Sequence, residues 1–488
     1  MRIPLDHDST VPLYQQIETY LRQNIISGKL LPETRLPATR QLAEKLGVSR
    51  ITVTNAYAEL ESEGLIYSRE GSGTYVSPPV SSATSPAHQA EILWPLWQHG
   101  LETDDDLPQH LRPDQISQQT VHPNPIIFSG VGDPRQFPIK DFGKAIQSVI
   151  RRDGQTAFKY GGFDGGYRPL RRTISHVLAT QGIQANPDNT LITAGSQQAI
   201  ALVCQLLLKP GDVILVEKPS YNLALELFQT CHLNIVGVSM DEQGMQVEQV
   251  ETLLQQYHPK LIYTMPNFQN PTGVCLNGPR RRMLIQLAER YNVPILEDEF
   301  VGDLRYNGRV QPAIKALDQN GTVIYIGTFS KMLMPGLRAG YLVADGPVFD
   351  RLVSYKRVSD LTTSTLIQRA LDEYVTIGRY QTHLRRSCRR YRQRRDAIIT
   401  AIKQYLPTVH FNPPQGGLFI WLELPEQVSS LALLPLAMQE GVGFSPGSNF
   451  FIHRTEGERY LRLNFATHTL EDIEVGIQRL AVAMRRLH

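Results

Sequence analysis

The stretch Gly327-Thr328-Phe329-Ser330-Lys331-Met332-Leu333-Met334-Pro335-Gly336-Leu337-Arg338 gathers two hydroxyls, an amine and a guanidinium in one short turn beside glycine and proline. A lysine amine attacks a carbonyl when its surroundings keep it partly neutral, and a bound aldehyde is the usual partner of a lysine held inside a site. Lys331 is therefore the candidate Schiff-base former. The alternative is a buried structural lysine, but lysine is seldom fully buried without a partner. Thr328, Ser330 and Arg338 complement a phosphate ester, because two hydroxyls and a rigid cationic fork match its oxygens.

Two further patches fit one ligand bearing both an aldehyde and a phosphate, such as pyridoxal 5′-phosphate. Ala194-Gly195-Ser196-Gln197-Gln198-Ala199 follows the apolar Leu191-Ile192 and opens a helical run. Backbone N–H groups near Ser196 and Gln197 would then meet phosphate at a helix N-terminus. Asp298 follows Pro294-Ile295-Leu296-Glu297 at the carboxyl end of a buried strand, where open α/β sheets place ligands. A carboxylate there keeps a pyridine nitrogen protonated and strengthens the ring as an electron sink.

The elements that position these groups read as a mostly parallel α/β sheet. Apolar runs at Val213–Val216, Leu261–Thr264, Pro294–Leu296 and Val323–Ile326 alternate with helical stretches. At 488 residues the chain exceeds one hydrophobic core, so two or more domains are expected. A net charge of +2 gives no overall pull toward nucleic acid or membrane, which makes any DNA binding local. No apolar run is long enough to span a bilayer and Met1–Thr10 lacks a secretory signal, so a cytoplasmic protein without membrane contact is expected. Cys204, Cys231, Cys275 and Cys388 have no paired spacing and read as reduced, mostly buried thiols, with no metal site.

The amino end has a different pattern. Leu13, Ile17, Leu21 and Ile25 recur every four residues between Val11 and Leu30, one stripe of a helix that Gly28 would stop. A short helix over Thr39–Leu46, a break at Gly47 and a third helix capped by Ser49 have helix-turn-helix spacing. Leu65–Ser68 and Gly73–Val76 then flank a turn as a hairpin wing. Arg35, Arg40 and Arg50 are the candidate DNA contacts, joined by Ser49, Thr52 and Asn55 around the third helix and Gly73 of the wing. Residues 1–77 hold eight Lys/Arg against nine Asp/Glu, so added positive charge for a long duplex would come from elsewhere. The arginines from Arg379 to Arg395 are one source; the plainer reading is a long solvated helix with its charges spread around most of the surface. Residues 78–123, rich in Ser, Pro, Gln and Asp, read as a long linker whose Trp94 and Trp97 would dock.

Leu36-Pro37-Ala38-Thr39-Arg40-Gln41-Leu42-Ala43, Leu46-Gly47-Val48-Ser49-Arg50-Ile51-Thr52-Val53, Glu63-Gly64-Leu65-Ile66 and Gly71-Ser72-Gly73-Thr74-Tyr75-Val76 closely resemble the GntR winged-helix family. From about Asn124 onward the chain resembles fold type I pyridoxal-phosphate aminotransferases. Pro266-Asn267-Phe268-Gln269-Asn270-Pro271-Thr272-Gly273 is similar to their Asn-Pro-Thr-Gly loop. That resemblance implies that Asn270 contacts the cofactor's phenolic oxygen, Tyr221 stacks on its ring, and Arg462 grips a substrate carboxylate. It also implies that Tyr160 reaches a phosphate, often that of the partner subunit. Phe300 departs from the pattern, since relatives of this fused type show a tyrosine there, and weak transamination at most is expected.

The joined layout resembles the MocR subfamily of transcription regulators. It implies an α/β chain: a winged helix-turn-helix (α+β, 1–77), a linker (78–123) and a fold type I aminotransferase-like domain (124–488). That domain would hold a large part over about 124–380 and a small C-terminal α+β part over about 381–488. It further implies a homodimer with each reader packed on the partner's body, a double-stranded DNA operator, and an amino-acid, amine or vitamer effector reacting at Lys331. The rival expectation is a working aminotransferase that carries a DNA-binding domain.

Overall fold

The computed structural model describes residues 3–77 and 122–487, apart from His7, Asp8, Thr10, Ser27, Gly28, Glu70, Gly71, Val131, Gly162, Ser330 and Met332. Nearly all of the expected linker, with Trp94 and Trp97, lies outside the described residues, as do the expected helix stop at Gly28 and the phosphate-binding candidate Ser330. The chain divides into two compact units, Met1–Glu102 and Thr103–His488.

In the first unit, helices α1 (Leu13–Ile26), α2 (Thr39–Leu46) and α3 (Arg50–Ser62) precede an antiparallel hairpin, β1 (Ile66–Arg69) and β2 (Gly73–Val76). Ile17 and Leu21 on α1 are buried with Leu42, Val53, Leu60, Ile66 and Val76 in one core. Each such side chain contributes about 1.5–3 kcal/mol on burial. Gly47 ends α2 with φ 66°, the left-handed geometry that glycine adopts at least cost, and its N–H returns to the Ala43 and Glu44 carbonyls. Ser49 then caps α3, its Oγ accepting from the Thr52 N–H at 3.1 Å. These two residues set the turn between α2 and α3.

The second unit is built on an eight-stranded mixed sheet. Its strands are β4 (Thr190–Thr193), β5 (Val213–Lys218), β6 (Asn234–Asp241), β7 (Gly244–Met245), β8 (Leu261–Thr264), β9 (Ile295–Glu299), β10 (Val323–Thr328) and β11 (Gly340–Val343). Their spatial order is β4-β11-β10-β9-β8-β5-β6-β7. The run β10-β9-β8-β5-β6 is parallel, while β11 is antiparallel to both neighbours. Every residue of β4, β8 and β10 is buried, which is why β8 and β10 read as mostly apolar runs rather than alternating ones. Toward the carboxyl end, β12 (Phe419–Glu423), β15 (Tyr460–Asn464) and β14 (Ser445–Pro446) form an antiparallel sheet. The short β3 (Ile126–Ile127) pairs in parallel with β13 (Val442–Gly443), so the start of this unit returns to its carboxyl-terminal part.

Two expectations need correction. The helix Arg379–Tyr405 exists, but its arginines are not all solvated. Arg394 is buried and donates to Asp133 Oδ2 at 2.6 Å, and Arg395 is buried and donates to the Pro414 carbonyl at 2.9 Å. Burial pushes the Asp133 carboxyl up, but Arg135 and Arg394 overcome this and hold it below its ordinary value. Of the four free thiols only Cys204 is buried, because Cys231, Cys275 and Cys388 sit where loops and helix surfaces leave them half-exposed. Among the described residues no helix is long and apolar enough to cross a membrane, and no cluster of His, Cys, Asp or Glu is placed to hold a metal ion.

Candidate functional site

The parallel register fixes where the chemistry gathers. Ile326 on β10 lies opposite Asp298 on β9, so Asp298 and the Lys331 turn leave neighbouring strands at the same sheet edge. Tyr221 follows β5 and Asn270 follows β8, while Ser196 follows β4, which runs in the same direction as β10. All of these side chains therefore belong to the carboxyl edge, the usual ligand edge of an open α/β sheet.

Asp298 is 2% exposed. Its Oδ2 accepts from the Tyr263 hydroxyl at 2.8 Å, while its Oδ1 is buried without a hydrogen-bond partner. Burial pushes this carboxyl up to about 6, against the Tyr263 hydrogen bond and the charge of Lys331. Lys331 responds in the opposite sense. Burial, then the neighbouring cations Arg462 and Arg338, lower its amine to about 8, with Asp298 opposing them. A good fraction of such an amine is neutral near pH 7.5, when it can act as a nucleophile.

Arg462 lies between two aromatic rings, 4.3 Å from the Phe419 centroid and 4.7 Å from that of Phe450. It donates to Asn270 Oδ1 at 2.7 Å and to Ser445 Oγ at 3.2 Å, and its buried Nε has no partner. Burial lowers it to about 10. Among the described residues no carboxylate forms an ion pair with it, which leaves a desolvated cation open to an anionic ligand. Phe300 packs its ring on Phe419, centroids 6.2 Å apart, and so backs the aromatic floor beneath the arginine.

The helix Ser196–Leu207 begins without a side-chain cap, so its first-turn N–H groups have no intrahelical partner. Gly195 precedes it at φ 114°, and a Cβ there would stand 2.9 Å from Arg338 Nη2. The guanidinium thus lies against the helix start, and together they form a cradle for a dianion. Gln197 Nε2 is tied to the Leu223 carbonyl at 2.9 Å. Thr328 shares the face of Asp298 by register, but its hydroxyl donates to the Ala339 carbonyl at 3.4 Å. Tyr221 caps the next helix by position, and burial followed by the charge of Asp298 pushes its phenol up. Tyr160 is 75% exposed and stands apart from these groups.

The sequence did not reveal Tyr263, Phe419, Phe450 or Ser445. Tyr263 alone carries a signal, since a tyrosine in an otherwise apolar strand needs a partner for its hydroxyl. A cavity of about 380 Å³ lined by Glu299, Asp303, Tyr325, Tyr341 and Tyr380 includes neither Asp298, Lys331 nor Arg462. Its lining also includes Thr328 and Phe300.

The donor set fits pyridoxal 5′-phosphate. The unpartnered Asp298 Oδ1 suits a protonated ring nitrogen, the helix start with Arg338 suits the phosphate, and Lys331 suits the aldehyde.

In the reader, Arg35, Arg40, Arg50 and Asn55 are exposed. Ser49 Oγ and Thr52 Oγ1 lie 2.8 Å apart and serve the cap of α3. A Cβ at Gly73, where φ is 120°, would stand 3.0 Å from Arg35 Nε, so the wing glycine makes room for that guanidinium.

Residues 13–76 match the bacterial regulatory proteins of the gntR family, and residues 126–480 match aminotransferase class I and II. An uncharacterized HTH-type transcriptional regulator of Bacillus subtilis, YisV, is 33% identical, covering 98% of this chain and 97% of the relative. A probable rhizopine catabolism regulatory protein of Rhizobium meliloti, MocR, is 30% identical, covering 92% and 89%. Among solved structures, the α-aminoadipate aminotransferase LysN of Thermus thermophilus, complexed with N-(5′-phosphopyridoxyl)-L-leucine, is 32% identical with a TM-score of 0.71, covering 77% of this chain and 95% of that one. Family and donor set agree on pyridoxal 5′-phosphate as the cofactor. The chain belongs to the aminotransferase class I and II family and carries a gntR-family reader at its amino end, the fusion found in MocR-type regulators.

Proposed function

We propose that this chain is a pyridoxal-phosphate-dependent transcription regulator whose body senses an amino acid, an amine or a vitamer at Lys331 and passes that event to the reader on DNA. The observation that carries the reading is the pairing of Lys331, lowered to about 8, with the uncompensated Arg462 and the half-partnered Asp298. When bound, the cofactor supplies an aldehyde that condenses reversibly with primary amines and a ring that withdraws electrons. Lys331 Nζ gives up its proton to the surroundings and competes with the incoming amine. Asp298 Oδ1 would hold the ring-nitrogen proton, Arg338 and the Ser196 helix start would hold the phosphate, Tyr221 would cover the ring, and Arg462 would orient an effector carboxylate. Coupling between such an event and DNA affinity is typically about 1–3 kcal/mol.

A homodimer is part of the same reading. Tyr160 is too exposed to serve its own site and suits a partner's. Phe158 and Leu361 are exposed beside it, on segments joined by Thr362 Oγ1 donating to the Gly161 carbonyl at 2.8 Å and Thr365 Oγ1 donating to the Ala157 carbonyl at 3.0 Å. The reader would be carried on the partner's body, and the protein would act in the cytoplasm, where the operator lies.

The second reading, an active aminotransferase with an attached reader, draws on the similarity to LysN and on the availability of Lys331 as a general base. The full chain loaded with cofactor separates the two. Borohydride followed by peptide mapping is expected to label Lys331, and selected amines are expected to change affinity for duplexes recovered from a random-core library. An affinity untouched by cofactor and by every amine overturns the sensor reading, and many rapid turnovers with amino and 2-oxo acids would establish the enzyme.

A further inference from the structure

The outward face of α3 carries a residue that neither its fold nor its charge explains. Ile51 is 72% exposed in the first turn of the helix, directly after Arg50. An isolated apolar side chain on a surface is ordinary. Ile51 differs in its position, because the first turn of a recognition helix is the part that reaches base edges in the major groove.

The neighbouring hydroxyls are already committed. Ser49 Oγ and Thr52 Oγ1 bond each other at 2.8 Å, and Thr54 Oγ1 donates to the Arg50 carbonyl at 2.9 Å. What the first two turns of α3 offer outward is therefore the Arg50 guanidinium, the Ile51 side chain, the Thr54 methyl and the Asn55 amide, all exposed, and Ile51 is the large apolar group among them. On the inward face Val53, Ala56 and Leu60 are fully buried, and Tyr57 donates to the Pro37 carbonyl at 2.8 Å, so the helix cannot roll to bury Ile51 instead. In the major groove only thymine presents a methyl group, adenine takes a bidentate amide, and guanine takes an arginine.

We propose that Ile51 is a specificity-determining residue that reads the C5-methyl of a thymine beside the bases met by Arg50 and Asn55. The inference rests on the DNA-binding reading of the gntR-family unit and adds one base identity to it. The occupant is thymine in duplex DNA, the one partner whose apolar group is presented in the groove that the first turn of α3 would enter.

The test uses the full chain loaded with pyridoxal phosphate and duplexes selected from a random-core library. Each thymine of the recovered duplex is replaced in turn by uracil, which pairs identically but lacks the methyl. Loss of a single buried methyl is expected to weaken binding by about four-fold at one position. Ile51→Ala is expected to bind the parent duplex as weakly and to be indifferent to uracil there, while Ile51→Val keeps the response. Both variants change a surface side chain, so folding is preserved and is checked by circular dichroism. If no thymine responds to uracil, or if Ile51→Ala keeps the same response, the proposal is overturned while DNA binding stands. If no duplex is recovered at all, the DNA-binding reading fails and the proposal falls with it.

Discussion

Arg462 donates to Asn270 Oδ1 at 2.7 Å, so the cation expected to meet a carboxylate and the amide expected to meet the cofactor are held as one unit. With Phe419 and Phe450 on its faces, the guanidinium is fixed in direction before any ligand arrives. Preorganised charge-assisted hydrogen bonds contribute roughly 1.5–3 kcal/mol. Arg462→Leu is therefore expected to weaken amino-acid binding by about ten-fold to one hundred-fold without weakening amines that lack a carboxylate. Titrations followed by cofactor absorbance distinguish the two ligand classes, and equal loss for both would contradict the assignment.

Lys331 is expected to react as an amine titrating near 8. Burial disfavours its charged form and the cations Arg462 and Arg338 add to that, so the reactive neutral amine persists to lower pH than in an exposed lysine and declines as pH falls through about 8. Competition labelling of the cofactor-free chain with acetic anhydride, read by mass spectrometry, should show Lys331 reacting at lower pH than exposed lysines. In Arg462→Leu one repelling charge is gone, and the midpoint should move upward. A midpoint indistinguishable from exposed lysines would remove the electrostatic basis of the site.

Tyr263 occupies one oxygen of Asp298 and leaves the other for the ligand. Removing its hydroxyl takes away a hydrogen bond that lowers Asp298, so in Tyr263→Phe the carboxyl should rise further, be neutral in a larger share of molecules near pH 7, and pair less often with a protonated ring nitrogen. Cofactor retention on dialysis is expected to fall about three-fold to ten-fold in Tyr263→Phe and more steeply in Asp298→Ala. Unchanged retention in both variants would mean that Asp298 does not face the ring.

The legibility of the site divides by distance along the chain. β8 and α2 run from Leu261 to Thr264 and from Thr39 to Leu46, as their apolar pattern implies, because local periodicity reports directly on which faces are covered. The Ser49 cap and the edge position of Asp298 were legible for the same reason, since each depends on a few neighbouring residues. Arg394 could not be read this way. Its burial depends on Asp133, 261 residues earlier, and nothing in an arginine-rich helix marks which members turn inward. The aromatic clamp on Arg462 is equally silent, because Phe419 and Phe450 meet only when the carboxyl-terminal sheet closes around β15.

Glu299, on the strand beside Asp298, gives a prediction about stability rather than binding. Its Oε2 accepts from Asn267 Nδ2 at 2.5 Å, and its buried Oε1 has no partner. Burial pushes the carboxyl up from 4.5 to about 8, with the charge of Glu297 adding to the rise and Asn267 opposing it. Between about 4.5 and 8 the native chain thus retains a proton that the unfolded chain has released, so stability falls as pH rises through that window. Glu299→Gln keeps an oxygen for Asn267 and cannot ionise, which should flatten this slope. Scanning calorimetry of the cofactor-free chain at pH 5.5 and 8 is expected to show a larger fall in Tm for the parent than for Glu299→Gln, by roughly 2 °C or more. Parallel curves would show that Glu299 is already ionised in the native state, compensated by Asn267 and the Arg281 charge that also lowers it.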